Sequence, residues 1–129
     1  MTMQKKVIKT DKAGSGKVPL SQAIRVGEWL FCSGQLPLDP KTGEIAPGGI
    51  AGQTRQVLEN LKAVCEAAGT SLANAVRVTI YMEDLAELQG MNAVFEEYFG
   101  VVDPPARTTF QAAKLIAGAK LEIDLQAVV

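Results

Sequence analysis

The sequence predicts one α+β domain, residues 1–129, with the element order β-β-β-α-β-α-β-β. Two stretches, 50–68 and 84–99, carry apolar residues at helical period. Shorter runs before, between and after them alternate like half-buried strands. A chain of 129 residues with 47% hydrophobic and 21% charged side chains is large enough for a single core and too apolar to remain disordered.

Residues 4–10 read as a first strand with weak alternation. Residues 11–19, with glycines at 14 and 16 and a proline at 19, read as loop. Runs at 22–26 and 29–33 flank Gly27-Glu28, a Gly-X hairpin signal. Residues 36–49 are rich in Pro, Asp and Gly and form a long loop in which Asp39-Pro40-Lys41-Thr42-Gly43 is turn chemistry.

Ile50, Thr54, Val57, Leu58, Leu61, Val64, Cys65 and Ala68 then fall on one helical stripe, closed by Gly69. Residues 75–83 alternate, with Val76, Val78, Ile80 and Met82 one way and Arg77, Thr79, Tyr81 and Glu83 the other. Asp84 followed by Glu87 resembles a capping box. It opens a second helix whose apolar residues are Leu85, Leu88, Met91, Phe95, Tyr98 and Phe99, ending at Gly100.

Strands at 106–112 and 121–129 complete the chain. The first puts Arg107, Thr109 and Gln111 on one face, and the second turns Leu121, Ile123, Leu125 and Ala127 to the core. Each helix has a single apolar stripe, so both should pack on one face of the sheet. The other face is expected to carry Arg77, Tyr81, Arg107, Thr109, Glu122 and Asp124 mixed with apolar residues. Such a face is either solvated or covered by another subunit.

Composition excludes several classes. The net charge is -1 with a pI near 5.4, without the basic stripe that displaces counterions from phosphates. Lys5, Lys6, Lys9 and Lys12 read as a solvated strand end, so nucleic acid is not an expected partner. With no histidine, His-based triads and nearly every catalytic zinc site are excluded. Cys32 and Cys65 are too few for structural zinc. One sits in an apolar strand and the other on an apolar helix face, so both are expected as buried free thiols of a reducing compartment. No apolar leader or membrane-length stretch is present, which predicts a soluble, cytoplasmic protein that no membrane engages. Neither a nucleotide motif nor a nucleophile elbow occurs, so no metal or cofactor is expected.

Arg107 and Glu122 are the candidate catalytic residues. Arg107 follows the stiff lead-in Pro104-Pro105-Ala106, and from a strand entrance its planar fork can hold a carboxylate in two parallel bonds. Glu122 sits between the apolar Leu121 and Ile123, where a partly desolvated carboxyl can hold or activate water. On the residues alone, the commoner case for each is a solvated or ion-paired strand side chain. Ser33-Gly34 ends a strand, and its glycine permits close approach of a ligand, although a plain turn accounts for it as well.

Several segments together carry a more specific signal. They are Pro105-Ala106-Arg107, Ala113-Lys114-Leu115 and Leu121-Glu122-Ile123, preceded by Ser33-Gly34-Gln35, Gly43-Glu44, Gln53-Thr54, Asn60-Leu61, Glu66-Ala67-Ala68-Gly69, Tyr81-Met82-Glu83-Asp84-Leu85 and Asn92. In this order they resemble the RidA (YjgF) family over essentially the whole chain. The resemblance implies a chorismate mutase-like fold and a homotrimer whose sheets form a central barrel with clefts between subunits. It also implies hydrolysis of reactive enamines and imines, such as 2-aminoacrylate, to 2-oxo acids and ammonia. Carried over, Arg107 would clamp the substrate carboxylate with help from Gly34 and Thr109. Glu122 would place the water, and Ser33 and Asn92 would line the cleft. The family's deaminases carry a tyrosine in the segment 18–22, where this chain has Leu20, and often a cysteine where it has Thr109. A non-catalytic binder of small carboxylates and a single-strand ribonuclease are the alternatives from other classes. The acidic pI and 5% aromatic content offer the ribonuclease neither a basic groove nor a stacking platform.

Overall fold

The computed structural model describes residues 4–14, 18–100 and 103–129; residues 1–3 and residues 15–17 of the expected loop lie outside it. Along the chain come strands β1 (Lys5–Ile8), β2 (Ala23–Val26) and β3 (Trp29–Gln35), helix α1 (Gly49–Ala67), strand β4 (Ala75–Met82), helix α2 (Leu88–Phe99), and strands β5 (Ala106–Gln111) and β6 (Leu121–Val128). The predicted element order holds. All six strands join one sheet in the order β1-β2-β3-β6-β4-β5. Every neighbouring pair is antiparallel except β4 and β5, which run parallel because α2 carries the chain back between them.

Both helices cover the same face of the sheet, as their stripes require. From α1, Val57, Leu58, Leu61, Val64 and Cys65 are fully buried against Leu30, Val78, Ile80, Leu121, Ile123 and Leu125, which the strands present at every second position. Burying each of these larger side chains stabilises the fold by about 1.5–3 kcal/mol. Gly90 on α2 lets the helices meet closely, since a Cβ there would press on Ile50. Gly69, at φ +86, ends α1 in the left-handed conformation, and the Thr70 N–H behind it donates to the Cys65 carbonyl at 3.0 Å. Cys32 and Cys65 are free and buried.

The loop between β3 and α1 is held by polar accounting. Asn60 is fully buried on α1, and its amide donates to the Leu36 and Leu38 carbonyls at 3.3 and 3.0 Å. Asp39 makes the expected turn, accepting the Lys41 N–H at 2.8 Å, with Gly43 at φ +74.

Local differences from the sequence reading have identifiable causes. Asp84 does cap a helical turn, accepting the Ala86 N–H at 2.8 Å, but that turn is a short 3-10 segment, Leu85–Glu87, ahead of α2. Glu87 is drawn away from the capping box by Lys120, 3.1 Å distant. A bulge between Ala75 and Arg77 turns Val76 outward, out of the predicted alternation with Val78.

The largest difference concerns β5. Arg77, Tyr81, Glu122 and Asp124 do lie on the sheet face away from the helices, but Arg107 and Thr109 do not. Parallel pairing places Arg107 beside Val78 and Thr109 beside Ile80, both helix-facing core residues. Phe110, the single large apolar residue of β5, points instead to the open face.

Candidate active site

The polar residues singled out in the sequence gather into two groups on opposite faces of the sheet. On the helix side, at the sheet's edge, Arg107 rises from β5 and lays its guanidinium over the Phe95 ring of α2, 5.0 Å from the centroid. The ring restricts where the fork can point and removes water from one of its faces. That partial burial lowers the Arg107 pKa without threatening its charge. Neither ion pair found among the described residues, Arg55–Glu97 or Lys120–Glu87, involves it. Asn92 precedes Phe95 by three residues and so shares its side of α2. Asn92 Oδ1 and Thr109 Oγ1 are both buried and both lack a hydrogen-bond partner. Buried polar atoms without partners are costly to leave so, and a ligand with complementary groups would satisfy them.

The second group lies on the open face, where β3, β6 and β4 run side by side. Glu122 is half-buried on β6, opposite Tyr81. A Cβ added at Gly34 on β3 would collide with Glu122 Oε1, so only glycine leaves the carboxyl where it stands. Burial, followed by the charge of Asp124, raises the Glu122 pKa above the ordinary value. Ser33 donates its hydroxyl to the Ser21 carbonyl at 2.6 Å, which ties the segment leading into β2 to the end of β3. Leu20, one residue before that anchor, is exposed.

Thus Ser33, Gly34 and Glu122 form one group, and Asn92, Arg107 and Thr109 form another. The sheet separates them, and the sequence-level expectation of a single polar face carrying both Arg107 and Glu122 is corrected. Reading the sequence also missed Phe95 as the support of Arg107 and Tyr81 as the partner of Asp124. The spacing of Asn92 and Phe95 held the first signal, since residues three apart share a helix side. For the second, alternation already put Tyr81 and Asp124 on one face.

The open face around Glu122 is apolar for an exposed surface. Val7, Trp29, Phe31 and Phe110 are each 43–47% exposed. Among the described residues no helix is long and apolar enough to cross a membrane.

Comparison with known proteins places the chain in a family. The family model described as endoribonuclease L-PSP matches residues 10–129. A RutC family protein of Pyrococcus horikoshii is 48% identical over 120 residues, 93% of this chain and 94% of the relative. A bovine 2-iminobutanoate/2-iminopropanoate deaminase is 36% identical over 127 residues, 98% of this chain and 92% of the relative. Among solved structures, a Rid-family protein of unknown function from Yersinia pestis superposes with a TM-score of 0.94 at 39% identity, covering 98% of this chain and 100% of that one. Matched almost from end to end in sequence and in fold, the chain belongs to the RidA (YjgF) family, the family of the endoribonuclease L-PSP model.

Proposed function

We propose that the protein hydrolyses reactive imines and enamines of amino-acid origin to 2-oxo acids and ammonia, in clefts between the subunits of a homotrimer. The observation that carries this reading is the division of the site. Arg107 and Glu122 present a cation and a carboxyl on opposite faces of one sheet, so one small ligand meets both only where two copies adjoin. The exposed apolar residues around Glu122 supply a surface for the second copy. The deaminase name of the bovine relative points to the same chemistry.

In this reading Arg107, held by Phe95, grips the substrate carboxylate, and the unpartnered Asn92 and Thr109 oxygens accept from the N–H of the substrate's imine or enamine nitrogen. Water adds to the carbon of the protonated imine while one of its protons passes to the Glu122 carboxylate, giving a carbinolamine. Glu122 returns that proton to nitrogen, and as the carbon–nitrogen bond breaks and the hydroxyl oxygen forms the carbonyl, the remaining hydroxyl proton passes back to the Glu122 carboxylate and ammonia leaves. An imine is already electrophilic, so orientation and one proton carrier suffice.

The direct test generates imines in situ with an L-amino-acid oxidase and follows their capture by semicarbazide. Added protein should compete with the trap, and Arg107→Ala should lose that competition. Unchanged capture at any protein concentration refutes the activity. If a 2-oxo acid still binds through Arg107, the protein is a carboxylate binder instead.

A further inference from the structure

Beside Glu122 stands a hydrogen-bonded pair that the proposed reaction does not use. Tyr81 on β4 donates its hydroxyl to Asp124 Oδ2 on β6 at 2.8 Å. Glu122 and Asp124 are two apart on β6 and therefore project from the same face, with Tyr81 directly opposite Glu122. Phe110 packs edge-on against the Tyr81 ring at 5.1 Å and limits its swing. The pair spans β4 and β6 and is buttressed from β5.

Two carboxyls on one half-covered surface do not ionise independently, because each charge raises the cost of the other. The surroundings of these two differ. Asp124 has a fixed donor in Tyr81, whereas Glu122 faces the bare backbone of Gly34. From β3 no titratable side chain reaches Glu122, and Ser33 beside it gives its proton to a backbone carbonyl. Within one chain, the titratable groups facing Glu122 among the described residues are thus Asp124 on its own strand and Tyr81 on β4, to which the proposed cleft adds Arg107 of the adjoining copy. The hydrogen bond to Asp124, then burial, then the charges of Asp124 and Glu122 push the Tyr81 phenol up to about 12, so it remains a donor through the neutral range.

We propose that Tyr81 and Asp124 are positioning residues for Glu122, a fixed phenol–carboxylate pair whose charge makes Glu122 a carboxyl able both to accept a proton from water and to return one to nitrogen. The purpose assigned to that proton rests on the deaminase reading. The coupling itself belongs to the three residues and can be measured without turnover.

The experiment follows the side-chain carboxyl resonances of isotope-labelled glutamate through a pH titration. Glu122 is identified as the signal missing from Glu122→Gln. In the wild type it should titrate above the exposed glutamates. Asp124→Asn keeps an acceptor for Tyr81 and removes only the charge, so the Glu122 midpoint should fall toward theirs. Asp124→Thr, a second neutral acceptor, should do the same if the asparagine variant folds poorly. Asp124→Glu should retain most of the displacement, and Tyr81→Phe should lower the midpoint part of the way by freeing Asp124. The acidic limb of the kcat/KM profile should move in step. A Glu122 midpoint unmoved by both neutral substitutions overturns the proposal, even if imines are hydrolysed. A midpoint that falls in a protein without imine turnover upholds the coupling and removes the deaminase reading instead.

Discussion

Because the sheet separates Arg107 from Glu122, two impaired variants should repair each other. Arg107→Ala removes a charge-assisted grip worth about 1.5–3 kcal/mol per hydrogen bond, a loss of roughly tenfold or more. Glu122→Gln removes the proton carrier, typically ~10²–10⁴-fold in rate. In a trimer whose sites each take Arg107 from one chain and Glu122 from its neighbour, the two defects fall in different halves. Random equal mixing makes about three quarters of the trimers mixed, and each of these has one of its three sites with both groups intact, so about a quarter of wild-type activity returns in the whole mixture and about a third in the isolated mixed trimers. That level stands well above either parent. The variants would be co-expressed with different tags, mixed trimers isolated through both tags, and imine decay measured against semicarbazide capture. Light scattering on the same samples should give three times the 13.7 kDa chain mass. A mixed sample no more active than the average of its parents refutes the shared site, because both groups would then serve from one chain.

Two further outcomes follow from the geometry. Gly34→Ala should leave the fold intact, because the first atom it meets is the flexible end of Glu122, yet Glu122 must turn aside. Turnover should then fall by ~10²-fold with 2-oxo acid binding retained by calorimetry; unimpaired turnover would show that the position of Glu122 does not matter. The tyrosines give a pH test. Both Tyr81 and Tyr98 are pushed up to about 12, Tyr81 chiefly by its hydrogen bond to Asp124 and Tyr98 by burial and then Glu59. Folded pKa values above the unfolded value of about 10 mean that the associated stability is fully present below pH ~10 and is lost as pH rises toward 12. Denaturant midpoints should therefore fall over that interval, and Tyr81→Phe should flatten part of the fall. A phenolate absorbance transition near 10 in the folded protein would contradict it.

Much of the fold is legible in the sequence because periodicity is a direct consequence of burial. The stripe from Val57 to Cys65 and the alternation of Leu121, Ile123 and Leu125 state both the element and its inward side. The face of Glu122 follows from the same alternation, whereas Gly34 comes to lie beside it only through the register shift between Cys32 and Gln35. The segment Ala106–Gln111 gives no such signal, since its residues are small or polar apart from Phe110, and Phe110 points away from the helices. Which way Arg107 faces is decided by parallel pairing with β4, a long-range choice made by the α2 crossover and invisible in six residues of sequence. The outward turn of Val76 is similarly set by the bulge against β6. Consequently the candidate residues are legible as a list, while their division between the two faces of the sheet follows only from the strand pairing.

The place of β6 in the sheet has a consequence for how the molecule comes into being. It is the last of the six described strands in chain order, yet it lies between β3 and β4 and carries the fully buried Leu121, Ile123, Leu125 and Ala127. Until residues 121–128 have left the ribosome, the β1–β3 meander and the β4–α2–β5 unit have no hydrogen-bonded seam to join them. Without β6, any sheet formed on either side would present an unpaired edge of the kind that nearby chains can pair with. Closure by insertion of a central strand is a long-range event, slow by the standards of local hairpins and helices. Glu122 arrives with that strand, so the carboxyl reaches its place opposite Tyr81 and beside Gly34 only in the step that completes the sheet.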